Sequence, residues 1–198
     1  EIGSGLVGSE MCIRDRYKAS RNEKEGLSSP VVGRTIEDKN GNLWIGTEGG
    51  GLNFYNRRTR EFKWYIAGKG HNSISHSNVK ALYYDPAKEI IWIGTHLGGL
   101  NKLDIRTGAF THYLMEEGNP ETLPSNIVRD ITPYHDQLIV ATQNGVCLFD
   151  PHSGKCRQLF KDTKEGRKIT MVADVEVDNN GTCLLYTSPS PRDRSLSR

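Results

Sequence analysis

This sequence offers few of the features that announce a function. Its 198 residues carry 26 Lys and Arg against 24 Asp and Glu, a net charge of +2. A balance so near neutrality provides no field to gather nucleic acid or an anionic membrane. No apolar run approaches the roughly 18 residues that a membrane-spanning helix needs, and no helical stripe of useful length is present. The six histidines, at 71, 76, 96, 112, 135 and 152, stand apart with none of the spacing of a metal site. There is no phosphate-binding G-x-x-x-x-G-K-[ST] stretch. Gly49-Gly50-Gly51 is not followed by a helix that could supply one. Spacing suggests no Ser-His-Asp constellation. Carboxylates such as Glu116, Glu117, Asp162 and Glu165 fall in stretches that read as solvated loops. No cofactor is implied.

What the chain does have is glycine, 21 residues, and repetition. Gly41-Asn42-Leu43-Trp44-Ile45-Gly46-Thr47 returns as Ile90-Ile91-Trp92-Ile93-Gly94-Thr95, and more loosely as Gln137-Leu138-Ile139-Val140-Ala141-Thr142. Trp44 and Trp92 stand 48 residues apart, and Thr95 and Thr142 stand 47 apart. Each unit reads as four short strands. In the first, Val32–Glu37 leads through Asp38-Lys39-Asn40-Gly41, whose Asn-Gly supplies the positive φ of a tight hairpin. Leu43–Thr47 follows, then the Glu48–Gly51 turn, Leu52–Tyr55, and Glu61–Tyr65. The second unit copies this as 79–84, 90–95, 100–104 and 110–113, and the third as 127–132, 137–142, 146–150 and 155–160. A fourth opens at Val172 and reaches Asp178-Asn179-Asn180-Gly181. The polar stretch 17–30 reads as the tail of a preceding unit.

Four antiparallel strands per unit of about 47 residues is the pattern of a β-propeller blade. The fold class expected is all-β: a partial β-propeller of about three four-stranded blades plus the start of a fourth. Blades are placed at about 32–66, 79–114 and 127–160, with the fourth from about 172. The strand-two Trp is expected in the core between blades. The Thr after Ile-Gly should satisfy backbone groups at the strand end. Three blades and a fragment would leave an apolar sheet face of a few hundred Å² at each end.

The termini break the pattern. Codons for Leu6–Arg16 can be the antisense of codons for Cys183–Asp193, eleven residues that unrelated protein segments should not share in this way. The two stretches resemble translated sequencing-library adapter read in opposite directions. Residues 1–16 and 183–198 are therefore expected to lie outside the native domain and to pack on no core. Of the four cysteines this leaves Cys147 and Cys156. They fall on strands three and four of one unit and should be offset across the hairpin rather than directly opposed; a disulfide between them stays open.

Asn-Gly-Asn-Leu-Trp-Ile-Gly-Thr at 40–47 with Gly-Gly-Leu-Asn at 50–53, repeated as Trp-Ile-Gly-Thr at 92–95 with Gly-Gly-Leu-Asn at 98–101, resembles the two-component regulator propeller repeat. The third copy departs, with Ile139 for Trp, Ala141 for Gly and one glycine of the pair missing. The resemblance implies a non-catalytic, extracytoplasmic ligand-sensing propeller ahead of a membrane helix and a histidine kinase, responsive to glycan fragments. It further implies the periplasmic part of an inner-membrane, dimeric receptor. Its partners would be a small-molecule or oligosaccharide ligand and the remaining blades of the parent propeller, with no nucleic acid. Two alternatives stand beside it: a streptogramin-lyase-like propeller enzyme, and a protein-binding scaffold.

If strand one is innermost, the strand two–three loops and the inter-blade connectors emerge at one end. Those segments carry the candidate ligand-binding residues Glu48, His96, Gln143, Asn144, Asn72 and His76, and also His71, Asn119 and Asn126. Polar groups there could hydrogen-bond sugar hydroxyls in a concave mouth.

Overall fold

The structure is a computed structural model that describes residues 17–68, 72–159, 172–177 and 183–187. It is all-β. The first sheet comprises β1 (Val32–Glu37), β2 (Leu43–Thr47), β3 (Leu52–Asn56) and β4 (Glu61–Tyr65). The second comprises β5 (Val79–Asp85), β6 (Ile90–Thr95), β7 (Leu100–Asp104) and β8 (Phe110–Tyr113). The third comprises β9 (Val128–Tyr134), β10 (Gln137–Thr142), β11 (Gly145–Phe149) and β12 (Cys156–Gln158). In each of these the strands pair antiparallel in sequence order. β13 (Val172–Val177) pairs with β14 (Cys183–Thr187) in a two-stranded sheet. β1 lies against β5, β5 against β9, and β9 against β13. The first strands are therefore innermost and the fourth strands form the outer edges.

The repeat owes its period to what lies between sheets. Trp44 packs with Leu82, Ile91, Ile93 and Leu103 of the second blade. Trp92, one unit later, packs with Val128, Leu138, Val140 and Phe149 of the third. Ile139, in the worn copy, packs with Val172 and Val175 of the fourth. Both tryptophans are almost wholly buried, at 2% and 1% exposure, and removing either ring would cost roughly 3–5 kcal/mol. Gly46 and Gly94 stand where a Cβ would come within 2.6 Å of Val79 and Val128 on the next blade, so glycine here is a condition of close blade approach.

A second device joins each connector to the blade it enters. Leu27, Ile74 and Leu123 plug into the core, and a polar residue follows each of the first two. The Ser28 N–H donates to Asn53 Oδ1 at 2.8 Å, and Asn53 Nδ2 donates back to Ser28 Oγ at 2.8 Å. Ser75 and Asn101 repeat both bonds at 2.9 and 2.8 Å. Asn53 and Asn101, fully buried, are the Asn of Gly-Gly-Leu-Asn. The same serines also donate to the carbonyls of Gly50 and Gly98, where a Cβ would sit 2.2–2.3 Å from the hydroxyl. Thr47 and Thr95 close the turn by donating to the Gly51 and Gly99 carbonyls at 2.9 and 3.0 Å, the role expected of them. In the third blade Cys147 takes the place of the asparagine and Pro124 that of the serine. Proline has neither N–H nor hydroxyl, so both halves of the lock are gone together and no polar atom is orphaned.

Connectors also cap the outer edges, whose unpaired amides would otherwise recruit another strand. Phe62 N–H donates to the Lys24 carbonyl (3.2 Å), Phe110 N–H to Asn72 Oδ1 (2.6 Å), and Cys156 N–H to the Glu121 carbonyl (2.7 Å).

Two expectations change. The first blade was to present a bare apolar flank. Instead Tyr17 and Leu27 of the preceding stretch lie over it. The Tyr17 ring packs tilted against Tyr55 and edge-on against Phe62, with centroids 4.8 and 5.6 Å apart, and Trp64 Nε1 donates to the Gly26 carbonyl at 2.8 Å. Tyr55 and Phe62 are buried as a result. Residues 183–187 were to pack on no core, yet they form β14, and Leu185 is half-buried against the Ile139–Val175 cluster. The run Leu184-Leu185-Tyr186 is apolar enough to serve as the partner that β13 needs, whereas Leu184 and Tyr186 face outward, at 59% and 64% exposure. Residues 1–16 and 188–198, the turn 178–181 and the carboxylates Asp162 and Glu165 lie outside the described residues.

On the inner strands Arg34 of β1 reaches Asp130 of β9 (3.6 Å) and Asp174 of β13 (3.3 Å). Asp130 Oδ2 also accepts the Val175 N–H at 3.0 Å. Burial first, and then the neighbouring Asp174, push the Asp130 carboxyl up to about 6.

Asn101→Ala should lower stability by about 2 kcal/mol in urea unfolding, because the Ser75 N–H loses its buried acceptor. Cys147→Asn should also destabilise, since Pro124 can answer neither half of the amide. For Asp130 the folded state holds its proton more tightly than the unfolded chain, so its contribution to stability falls as pH rises from about 4 through about 6. Asp130→Asn should accordingly raise Tm relative to the parent at pH 7.5, and do so less at pH 4.5.

Candidate functional site

Glu48, His96 and Gln143 are equivalent residues: each directly follows the threonine that ends strand two. Each is pinned by its backbone to the connector alongside. The Glu48 N–H donates to the Val31 carbonyl (3.0 Å), that of His96 to Asn78 (2.9 Å), and that of Gln143 to Ile127 (3.0 Å). The turns are also tied to the next blade: Gly51 N–H donates to the Ser77 carbonyl at 2.7 Å, Gly99 N–H to Asn126 at 2.8 Å, and Gly49 N–H to Asn78 Oδ1 at 2.6 Å. Strand two–three turns and connector ends thus form one rim that crosses the blade seams, with little freedom in its backbone.

On this rim the Glu48 carboxylate accepts Lys80 Nζ from the start of β5. That hydrogen bond and the charge of Lys80 hold the Glu48 carboxyl below the ordinary range, with His96 adding to the effect. His76 and His96 lie with ring centroids 6.2 Å apart, edge to face. His76 Nδ1 accepts the Asn78 N–H at 3.1 Å, the turn role that Ser125 fills toward Ile127 in the third blade. Burial, then the neighbouring His96, lowers the His76 pKa, which favours a neutral ring at pH 7. Asn144 is exposed at the third turn, its N–H on Thr142 Oγ1 at 3.3 Å, and Gln143 is half-buried beside it.

Of the six residues singled out from sequence, Glu48, His96 and His76 come together across the first blade seam. Gln143 and Asn144 occupy the corresponding place one blade on. Asn72 does not belong to the rim. Its amide accepts the Phe110 N–H and donates to the Gly108 carbonyl at 2.9 Å, which puts it on the outer edge of β8 as a cap. His71 lies outside the described residues. Asn126 Oδ1 accepts the Met115 N–H at 2.7 Å, and Asn119 folds back on Glu116 at 2.9 Å; both serve their own connector.

Two rim residues went unread in the sequence. Lys80 sits inside a strand that reads as core. Leu97 is exposed, at 58%, with φ of 80°, where the first blade has Gly49 at the same angle. A leucine in the left-handed region costs of order 1–2 kcal/mol. Aligning Glu48-Gly49-Gly50-Gly51 with His96-Leu97-Gly98-Gly99 would have exposed the anomaly.

Among the described residues, three clefts lie away from this rim. Two, of about 480 and 500 Å³, flank the outer edge of the third blade between the connector from Met115 and β12. One of about 210 Å³ lies at the opposite end, between Tyr83, Trp92, His135 and Pro151. Among the described residues no three His, Cys, Asp or Glu side chains converge as a metal site, and no helix is long and apolar enough to cross a membrane.

Residues 26–49 match the two-component regulator propeller family. The fold is similar to the extracellular domain assigned to the hybrid two-component system BT3049 of B. thetaiotaomicron, at 27% identity and a TM-score of 0.72, over 81% of this chain and 22% of that one. It is also similar to the extracellular domain of BT4673 from the same organism (22% identity, TM-score 0.67, 88% of this chain and 25% of that one). A third likeness is to PorZ, a surface component of the type-IX secretion system of Porphyromonas gingivalis (18% identity, TM-score 0.64, 85% of this chain and 26% of that one). The last two likenesses concern the fold alone. The chain spans about a quarter or less of these relatives' lengths. No curated protein matches it in sequence. Residues 26–49 thus match a two-component regulator propeller repeat, and the sheets around them are similar in fold to the extracellular domain of a hybrid two-component system.

Proposed function

We propose that this chain is part of the extracytoplasmic propeller through which a two-component sensor histidine kinase detects oligosaccharides, and that it binds ligand without transforming it. The observation that carries this reading is the joint one of repeat and fold: a two-component regulator propeller match at 26–49 inside sheets that are 27% identical to an extracellular two-component domain. In this reading the parent protein is a dimeric inner-membrane receptor with its propeller in the periplasm, and the remaining blades complete the ring.

The rim suits a sugar. Oligosaccharides offer hydroxyls on their edges and C–H patches on their ring faces. Glu48 and Lys80 present an acceptor and donors side by side, His76 and His96 add imidazole nitrogens, and Leu97 holds an apolar surface up beside them. Turns tied to two blades at once limit the entropy lost when ligand docks. Glu48 is engaged by Lys80, which suits a recognition pair better than a general base.

Titration calorimetry of the chain against a panel of plant and host oligosaccharides, in reducing buffer, tests the proposal. A saturating ligand is expected, with His96→Ala and Leu97→Gly each weakening it at least tenfold, about 1.4 kcal/mol. Asn72→Ala should leave binding intact. No saturation with any sugar, or saturation that ignores His96 and Leu97 alike, would sink it.

A further inference from the structure

We propose that Cys147 and Cys156 form a disulfide that clips the edge strand of the third blade to its neighbour, and that this bond replaces the connector lock the other two blades use. The two thiols are buried, and their sulfurs stand 3.3 Å apart on one face of the β11–β12 pair. Cys147 lies opposite Gln158 and Cys156 opposite Phe149, so the cysteines are diagonal neighbours, as the hairpin spacing had led one to expect. Bonded sulfurs are about 2.05 Å apart, so closing the bridge draws β12 inward by roughly an ångström.

Position by position, the third blade departs from the others at the places this bond needs. Cys147 stands where Asn53 and Asn101 make the buried lock to Ser28 and Ser75, and Pro124 has removed the partner. Cys156 stands where Phe62 and Phe110 fill the edge strand's inner face. β12 is also the shortest of the outer strands, three residues against five in β4 and four in β8. A strand that has lost its aromatic anchor and has the fewest paired residues of the three has most to gain from a covalent tie.

The chemistry needs a disulfide oxidant, which an extracytoplasmic compartment supplies. Cys156 lines the 480 Å³ cleft beside Lys155 and Arg157, whereas Cys147 is sealed beneath it, its thiol pushed up by the bond to Cys156 and by burial. The Cys156 sulfur, as thiolate, attacks the oxidant disulfide, forming a mixed disulfide and expelling one thiolate. Cys147 gives up its proton and attacks the Cys156 sulfur, and the second thiolate leaves. The cysteine pair loses two electrons and two protons, and the oxidant is reduced to two thiols. The oxidising setting rests on the function proposed above; the geometry does not.

Incubating the full chain with oxidised glutathione at pH 8, unfolding it in alkylating buffer and mapping its peptides tests the bond. A peptide pair joined through Cys147 and Cys156, two hydrogens lighter than the sum of its halves, is expected. The oxidised form should melt roughly 5 °C above the reduced one, and Cys156→Ser should abolish that difference. Alkylation of both residues after oxidation, a bridge from either to Cys12 or Cys183, or a linked peptide with no gain in Tm would each overturn the proposal. Because sugar binding is measured under reductant, either proposal can fail while the other stands.

Discussion

A four-stranded sheet with two apolar faces cannot stand alone in water, and everything else in this molecule follows from covering those faces. Each sheet places one large side chain of its second strand into the next blade: Trp44, then Trp92, then Ile139. Glycine or alanine two residues later lets the neighbour come close enough to seal the gap. The spacing of about 47 residues is the length of chain needed to build one sheet and reach the next. Core packing of this kind is tolerant of chemistry as long as volume is filled, which explains how isoleucine can stand in the worn third copy without loss of the blade.

The polar part of the repeat is less forgiving. Asn53 and Asn101 are wholly buried, and each has its partner supplied by a connector more than twenty residues earlier. An amide in that setting stabilises only while both halves are present, and losing one half costs more than losing both. The third blade has lost both, Asn to Cys147 and Ser to Pro124. What looks like decay of the Gly-Gly-Leu-Asn motif is a paired loss, in which both halves of the amide lock are absent together. The thiol pair then occupies the vacated face of the edge strand.

The same fastenings build the rim. Because connectors must both plug the core and cap the outer edge, their final residues are brought against the strand two–three turns. Side chains at those turns are therefore displayed from a stiff backbone while remaining free of core duties. Glu48, His76 and His96 are displayed in this way, and Leu97, held at a φ of 80°, is exposed beside them. Asn72, similar in composition and only four residues from His76, has no such freedom, since its amide completes the ladder of β8.

The alternation of apolar residues, the Asn-Gly turn and the recurrence of Trp-Ile-Gly-Thr were enough, by themselves, to determine strand order, sheet membership and the burial of both tryptophans. These are local or periodic properties, and the backbone has few other ways to satisfy them. The sequence also determined that Cys147 and Cys156 would be offset, since hairpin register follows from turn length. Tertiary structure alone decided which polar loop residues are structural and which are displayed. Asn72 and His96 look equally available in the chain, and only the path of the connector tells them apart. It also decided that Tyr17 and Leu27 would cover the first flank and that Leu185 would join the last sheet. Whether an apolar residue finds a face to cover depends on what lies beside it in space, and no periodicity along the chain carries that information.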